Sequence, residues 1–348
     1  VIGAVLTIAI GAGAGGIASV MQAPAHAFVP TVAYIRICGA GSVAIVLYNY
    51  IGAVFRGMGD SATPVITVTI ACVFNIGGDL IMVAGFHAGA AGAAGATVAA
   101  QIISVAASFV IIRHKKLPVD FDRRMLRWNT ALSANITSVG LPVALQDFLV
   151  SVSFLIILAI VNSLGLVASA GVGVAEKVCT FIMLVPSCFM QSVAAFVAQN
   201  NGAGKEERGF LALRYAIRIS VPMAILMFYF TFFHGDVLAG MFSGDGDVIS
   251  AAADYLKAYA VDCLLTCFLF SFVGYFNGMA RTKFVMAQGL IGAFCVRVPV
   301  SFLMAQVRPV SLFHIGLATP CSTILQIVLS VAYLYLLRRR ELEGTLQA

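Results

Sequence analysis

Apolar runs of about 20 residues or more recur along the whole of this chain, each long enough to cross a bilayer as a helix. The runs are continuous and lack the ten-residue alternation of a membrane β-barrel. Composition agrees: 61% of the 348 residues are hydrophobic and 10% are charged, where a soluble domain carries about 25% charged residues. The fold class is an all-α polytopic membrane protein.

Ten segments follow from the pattern. One enters from before residue 1 and runs to 20; the others are 31–53, 65–86, 92–112, 136–163, 171–199, 212–233, 249–278, 284–306 and 315–337. The net charge of +6 invites a nucleic-acid partner, but the basic residues sit in short turns between apolar runs, where charge reports topology. One set of linkers holds Arg56, the basic run from Arg113 to Arg127, Lys205, Arg281 and Arg338–Arg340. The other holds little that is basic beyond Arg308. The positive-inside rule places the first set, and with it the C-terminus, in the cytoplasm.

The longest polar interruption divides the chain into two parts that repeat. Tyr34-Ile-Arg36 has a counterpart in Tyr255-Leu-Lys257, and Phe55-Arg-Gly-Met-Gly59 in Phe276-Asn-Gly-Met-Ala280, both at an offset of 221 residues. The organisation is an N-terminal lobe at 1–112, a cytoplasmic linker at 113–135, a C-terminal lobe at 136–337 and a cytoplasmic tail at 338–348. The same offset puts the start of the first repeat about 85 residues before Val1, room for two helices. The ten segments then belong to a twelve-helix, two-lobed transporter with a parallel repeat and a substrate path between the lobes. A chain without those two helices is expected not to couple transport by itself.

Polar residues inside the runs are the candidates for function, since an ionised side chain in hydrocarbon is kept where it has a partner and a use. Asn75 and Asp79 are four apart and share a helix face. Arg297 lies near the middle of its helix and is expected to face the cavity and pair with Asp262 or Asp147, or else to snorkel to an interface. Gln146-Asp147 follows Pro142 near a helix start, where a negative group attracts cationic substrates or caps the helix. Arg36 and Lys257 read as interfacial anchors. The eight cysteines fall inside apolar runs, and Cys263 and Cys267 have no second ligand pair beside them, so they read as small hydrophobes. Gly202-Ala-Gly-Lys205 lacks phosphate-loop spacing, and the five histidines form no zinc-protease pattern.

Four motifs together resemble the multidrug and toxic compound extrusion (MATE) family. They are Arg-Gly-Met-Gly-Asp at 56–60, Asn75-Ile-Gly-Gly-Asp79, Gly92-Ala-Ala-Gly95-Ala-Thr97, and the run from Gln199 to Arg208. The resemblance spans the chain from the family's third helix onward, so the lobes hold family helices 3–6 and 7–12. It implies a cation-coupled antiporter in the cell membrane (the inner membrane of a bacterium) that exports organic, cationic drugs or metabolites in exchange for Na⁺ or H⁺ by alternating access. In one branch, the implied coupling site is a cage of Asn49, Asn75, Asp79 and Thr97 with an aspartate from the first helix. Another branch uses carboxylates on the seventh and tenth helices; the nearest here, Asp147 and Asp262, stand about one turn from those positions. The expected substrate cavity comprises Arg297, Asp262, Asp147 and Gln146.

Asn49, Asn75, Asp79 and Thr97 supply hard oxygens and a titratable group, which suit a Na⁺ site or a proton switch. They also suit a polar knot that joins three helices by hydrogen bonds. No cofactor or metal is implied beyond the coupling ion. The expected partners are a small organic substrate and lipid, with the protein a monomer. A lipid-linked oligosaccharide flippase of the same wider superfamily is the alternative, but it would need several basic residues in the cavity, and Arg297 is the one strong mid-membrane candidate. An integral membrane enzyme lacks clustered His, Cys or carboxylates here, and nothing resembles a channel's selectivity filter.

Overall fold

The computed structural model describes residues 2–20, 25–115 and 129–345. Among these, every regular element is helical. Much of the basic linker (Lys116, Arg123, Arg124, Arg127 and Trp128) and the last three residues of the tail lie outside the described residues. Eight helices are long and apolar enough to cross a membrane, and a bent pair makes a ninth. A shorter apolar helix, Gly3–Ser19, precedes them. The chain is an all-α, multi-pass membrane protein. It forms two compact units, Val1–Arg127 and Trp128–Ala348.

The first unit contains α1 (Ile2–Val20), α2 (Ala25–Ala40), α3 (Ser42–Gly57), α4 (Ala62–Asp79) and α5 (Gly89–His114). The single helix expected over 31–53 is broken at Gly41, where α2 and α3 meet at 53°. Gly41 is forced small by its neighbour: a Cβ there would lie 2.4 Å from Val98 Cγ2 on α5. Helix α5 carries the run of glycine and alanine from Gly89 to Ala96, and packs against α2, α3 and α4. Small residues let helices approach closely in lipid, where no hydrophobic force draws them together. After Asp79, the helix widens to a π-helical segment, Leu80–Gly85, and ends with His87 in the left-handed region at φ 53°.

The second unit is built around α11 (Gly246–Gly278). In its most apolar window 67% of residues are buried, against 11% in α6 (Thr130–Asn162). Around it pack α7 (Leu166–Ile182), α8 (Leu184–Gly202), α9 (Glu206–Phe233) and α15 (Ala318–Thr345). The short α10 (Gly235–Gly240) and α14 (Leu312–Gly316) lie at helix ends. Between them run α12 (Thr282–Leu290), a π-helical segment Ile291–Arg297, and α13 (Val298–Gln306).

In this second unit three segments expected as single helices are interrupted, and each break stands just before a proline. Met183 precedes Pro186, Leu317 precedes Pro320, and the π segment ends two residues before Pro299. Proline removes an N–H and crowds the carbonyl four residues back, so the preceding turn has to open.

Candidate functional site

In the first unit, Gly78 sets the geometry. A Cβ on it would lie 2.9 Å from that of Ala96, so α4 and α5 are close at this level. The flanking polar residues meet there: Asn75 Nδ2 donates to Thr97 Oγ1 at 3.3 Å, and Thr97 Oγ1 donates to the Ala93 carbonyl at 3.0 Å. One turn further along α4, Asp79 Oδ1 is buried and accepts no hydrogen bond among the described residues. Gln101 Oε1, one turn beyond Thr97 on α5, is also buried, with no hydrogen-bond partner among the described residues.

Three of the four expected coupling residues therefore share one polar region between α4 and α5. Asn49 does not join it. That side chain is exposed and donates to the Ile45 carbonyl of its own helix at 2.9 Å. A buried acceptor with no donor is costly in this setting, and a proton or a cation is the kind of group that would satisfy it.

At the end of this unit, Asp60 is held by Lys115 Nζ at 2.5 Å and by the Thr63 hydroxyl and amide. These bonds, with Lys115 the leading cause, lower its pKa to about 2. The tie joins the Arg56–Asp60 turn to the end of α5.

In the second unit, Gln146, Asp147, Asp262 and Arg297 all line one cavity of about 290 Å³. The expected Arg297 ion pair is not formed, since no nitrogen of Arg297 comes within 4.0 Å of an oxygen of Asp262 or Asp147. The physical reason is that Asp262 is already served by hydroxyls. Thr323 Oγ1 donates to its Oδ1 at 2.6 Å and Thr266 Oγ1 to its Oδ2 at 3.0 Å. Arg297 instead lies over the Phe154 ring, 4.4 Å from Cζ to the centroid, and reaches Ser153 Oγ at 3.4 Å. Snorkelling does not describe it either, because Arg297 is 7% exposed and borders the cavity.

Asp147 needs a second correction. Helix α6 starts at Thr130, where the Asn129 side chain accepts the Leu132 amide at 3.0 Å. Asp147 is therefore well inside the helix, exposed toward the cavity, and does not cap a helix start. The eight cysteines are all free, and no His, Cys, Asp or Glu cluster among the described residues could hold a metal.

The MatE family model matches residues 142–303. YoeA, a probable multidrug resistance protein of Bacillus subtilis, is 24% identical over 349 residues, covering 96% of this chain and 72% of that protein. YpnP, another probable multidrug resistance protein of the same organism, is 28% identical over 262 residues, or 74% of this chain and 57% of that protein. A solved outward-facing multidrug resistance transporter of the MATE family and MOP superfamily has the same fold, with a TM-score of 0.87 at 18% identity. That likeness covers 95% of this chain and 74% of the solved one. The chain is similar to MATE proteins, in sequence over residues 142–303 and in fold over most of its length.

MATE proteins are transporters and not enzymes. The match at 142–303 takes in Asp147, Asp262 and Arg297, whereas the Asn75–Asp79 region lies outside it. The residues that sequence reasoning missed are those that complete the second-unit site: Thr266, Thr323, Ser153 and Phe154. Thr266 was within reach, being four residues from Asp262 on one helix. The others come from distant helices, such as Thr323, 61 residues on from Asp262.

Proposed function

We propose that this chain serves a cation-coupled antiporter that exports organic compounds by alternating access, with Asp79 as the coupling carboxylate. The supporting observation is the buried Asp79 Oδ1, without a partner among the described residues, beside the Asn75–Thr97 hydrogen bond. A carboxylate so placed can take up a proton or ligate Na⁺ with amide and hydroxyl neighbours, and release either when the helices shift. A cationic group on a drug or metabolite fits the exposed Asp147 in the cavity of the second unit. The basic linkers support a cytoplasmic C-terminus.

The test is efflux of a fluorescent organic cation by the full-length protein in proteoliposomes, under separate Na⁺ and pH gradients. Asp79→Asn should abolish the response to the gradient that drives the unaltered protein. Unchanged gradient-driven efflux in Asp79→Asn would remove Asp79 from the mechanism.

A further inference from the structure

We propose that Arg297 is the recognition point for an acidic group on the substrate, so that the cavity of the second unit takes aromatic organic acids. This deepens the exporter reading and rests on it only in treating that cavity as the substrate's. The argument starts from the donors. A guanidinium presents five N–H groups and no acceptor. In Arg297 the contact to Ser153 is long, at 3.4 Å, and Nε is buried with no acceptor among the described residues. The side chain is 7% exposed and borders the cavity, so those donors are turned away from bulk solvent. A buried guanidinium with free donors is a costly arrangement unless a ligand completes it.

Asp262 is the nearest candidate for completing it from within, and its geometry argues against that role. Its two oxygens accept from Thr323 and Thr266, and it approaches Arg297 no closer than the 4.0 Å limit of an ion pair. It balances the charge across the cavity without occupying the fork. What fits the fork is a planar anion with two acceptor oxygens, such as a carboxylate, bound side-on by parallel hydrogen bonds. The Phe154 ring fixes one face of the guanidinium, so the N–H groups are held in one plane. Helix widening in Ile291–Arg297 belongs to the same device, since such π segments gather at functional sites and this one delivers Arg297 to the wall.

The rest of the wall suits an aromatic body with polar substituents. Phe270 and Tyr259 line it, and Asn277 Oδ1 is a buried acceptor with no donor among the described residues. Gly292 leaves space that the Gln326 side chain fills, for a Cβ there would lie 2.4 Å from Gln326 Nε2. Gly289 does the same for Gln146, at 3.1 Å. Both amides are thereby held at the cavity surface. A basic group elsewhere on the same ligand is compatible with Asp147.

The experiment is equilibrium dialysis of the purified 348-residue chain in lipid nanodiscs with 1-naphthoate, its neutral isostere 1-naphthamide, and 1-naphthylmethylamine. Saturable binding of the acid should exceed that of the amide by about tenfold or more. Arg297→Gln should erase this preference, and Arg297→Lys, which keeps the charge but loses the fork, should retain a reduced one. Equal saturable affinity of the unaltered chain for acid and amide overturns the proposal without recourse to any variant, as does an undiminished preference in Arg297→Gln. Binding here needs no ion gradient, so failure of Asp79 as the coupling group would leave this result standing, and the reverse.

Discussion

Gly274→Ala probes directly how α11, the helix that carries Asp262, is held in the second unit. Gly274 and Gly278 are four apart and face α8. An ideal Cβ on Gly274 would lie 2.5 Å from the Met190 carbonyl oxygen and 3.1 Å from its Cα and carbonyl carbon. On Gly278 it would lie 2.7 Å from the Ala194 carbonyl oxygen and 2.7 Å from Val197 Cβ. These neighbours are mainly backbone, which cannot rotate aside as a side-chain tip would, so the two helices have to separate.

Overpacking of this kind costs about 1–3 kcal/mol. A clash with rigid backbone takes the upper part of that range, about 2–3 kcal/mol, and alanine returns about 0.8–1 kcal/mol of helix propensity, so the expected net loss is on the order of 1–2 kcal/mol. Gly173→Ala on α7 is the control, because a Cβ there meets nothing within 4 Å and the propensity gain stands alone. Thermal unfolding in detergent can be followed with a thiol-reactive dye, since Cys263 and Cys267 on α11 are 0% and 1% exposed and react once it comes loose. At about 2–4 °C per kcal/mol for a unit of this size, Gly274→Ala should melt roughly 2–8 °C below the unaltered protein. Gly173→Ala should melt at or slightly above it. A Gly274→Ala variant as stable as the unaltered protein would refute the close approach of α11 and α8.

Two further outcomes follow from the first unit. Gly41→Ala should destabilise it through the clash with Val98, and Val98→Ala should restore much of the loss, a coupling that a double-mutant cycle of melting temperatures measures directly. The Asp60 tie should be insensitive to pH across the neutral range. A lowered carboxylate pKa contributes stability that is complete above its ordinary value near 4 and is lost as pH falls toward about 2. Hydrogen exchange of the Thr63 amide, which Asp60 Oδ1 accepts at 3.2 Å, should show constant protection down to about pH 4 and a fall below it. Loss of protection already near pH 6 would contradict this assignment.

Much of this architecture was readable along the chain, because lipid leaves so few ways to satisfy a backbone. Apolar runs of the right length become helices whatever their neighbours are, and each of the ten expected segments coincides with helix. Asn75 and Asp79 were legible as a pair for a similar reason, since a four-residue spacing fixes a shared face before any packing occurs. Breaks were less legible. Proline marks where a helix is weakened, but Pro142 and Pro222 lie within unbroken α6 and α9 while Pro186 and Pro320 follow interruptions.

Charge pairing was the least legible of all. Arg297 and Asp262 invite one another as opposite charges in a sparsely charged sequence, and the folded chain brings both to one cavity without joining them. Hydroxyls of Thr266 and Thr323 had already occupied the carboxylate, and the Phe154 ring had taken the face of the guanidinium. Sequence determined by itself the helical class, the multi-pass character and the identity of the polar residues worth asking about, since those depend on local periodicity and on the cost of polar groups in lipid. Tertiary structure alone decided which of those residues touch. Hydrogen bonds are short and directional, and whether a donor from one helix reaches an acceptor on another turns on ångström-scale packing that no single helix encodes.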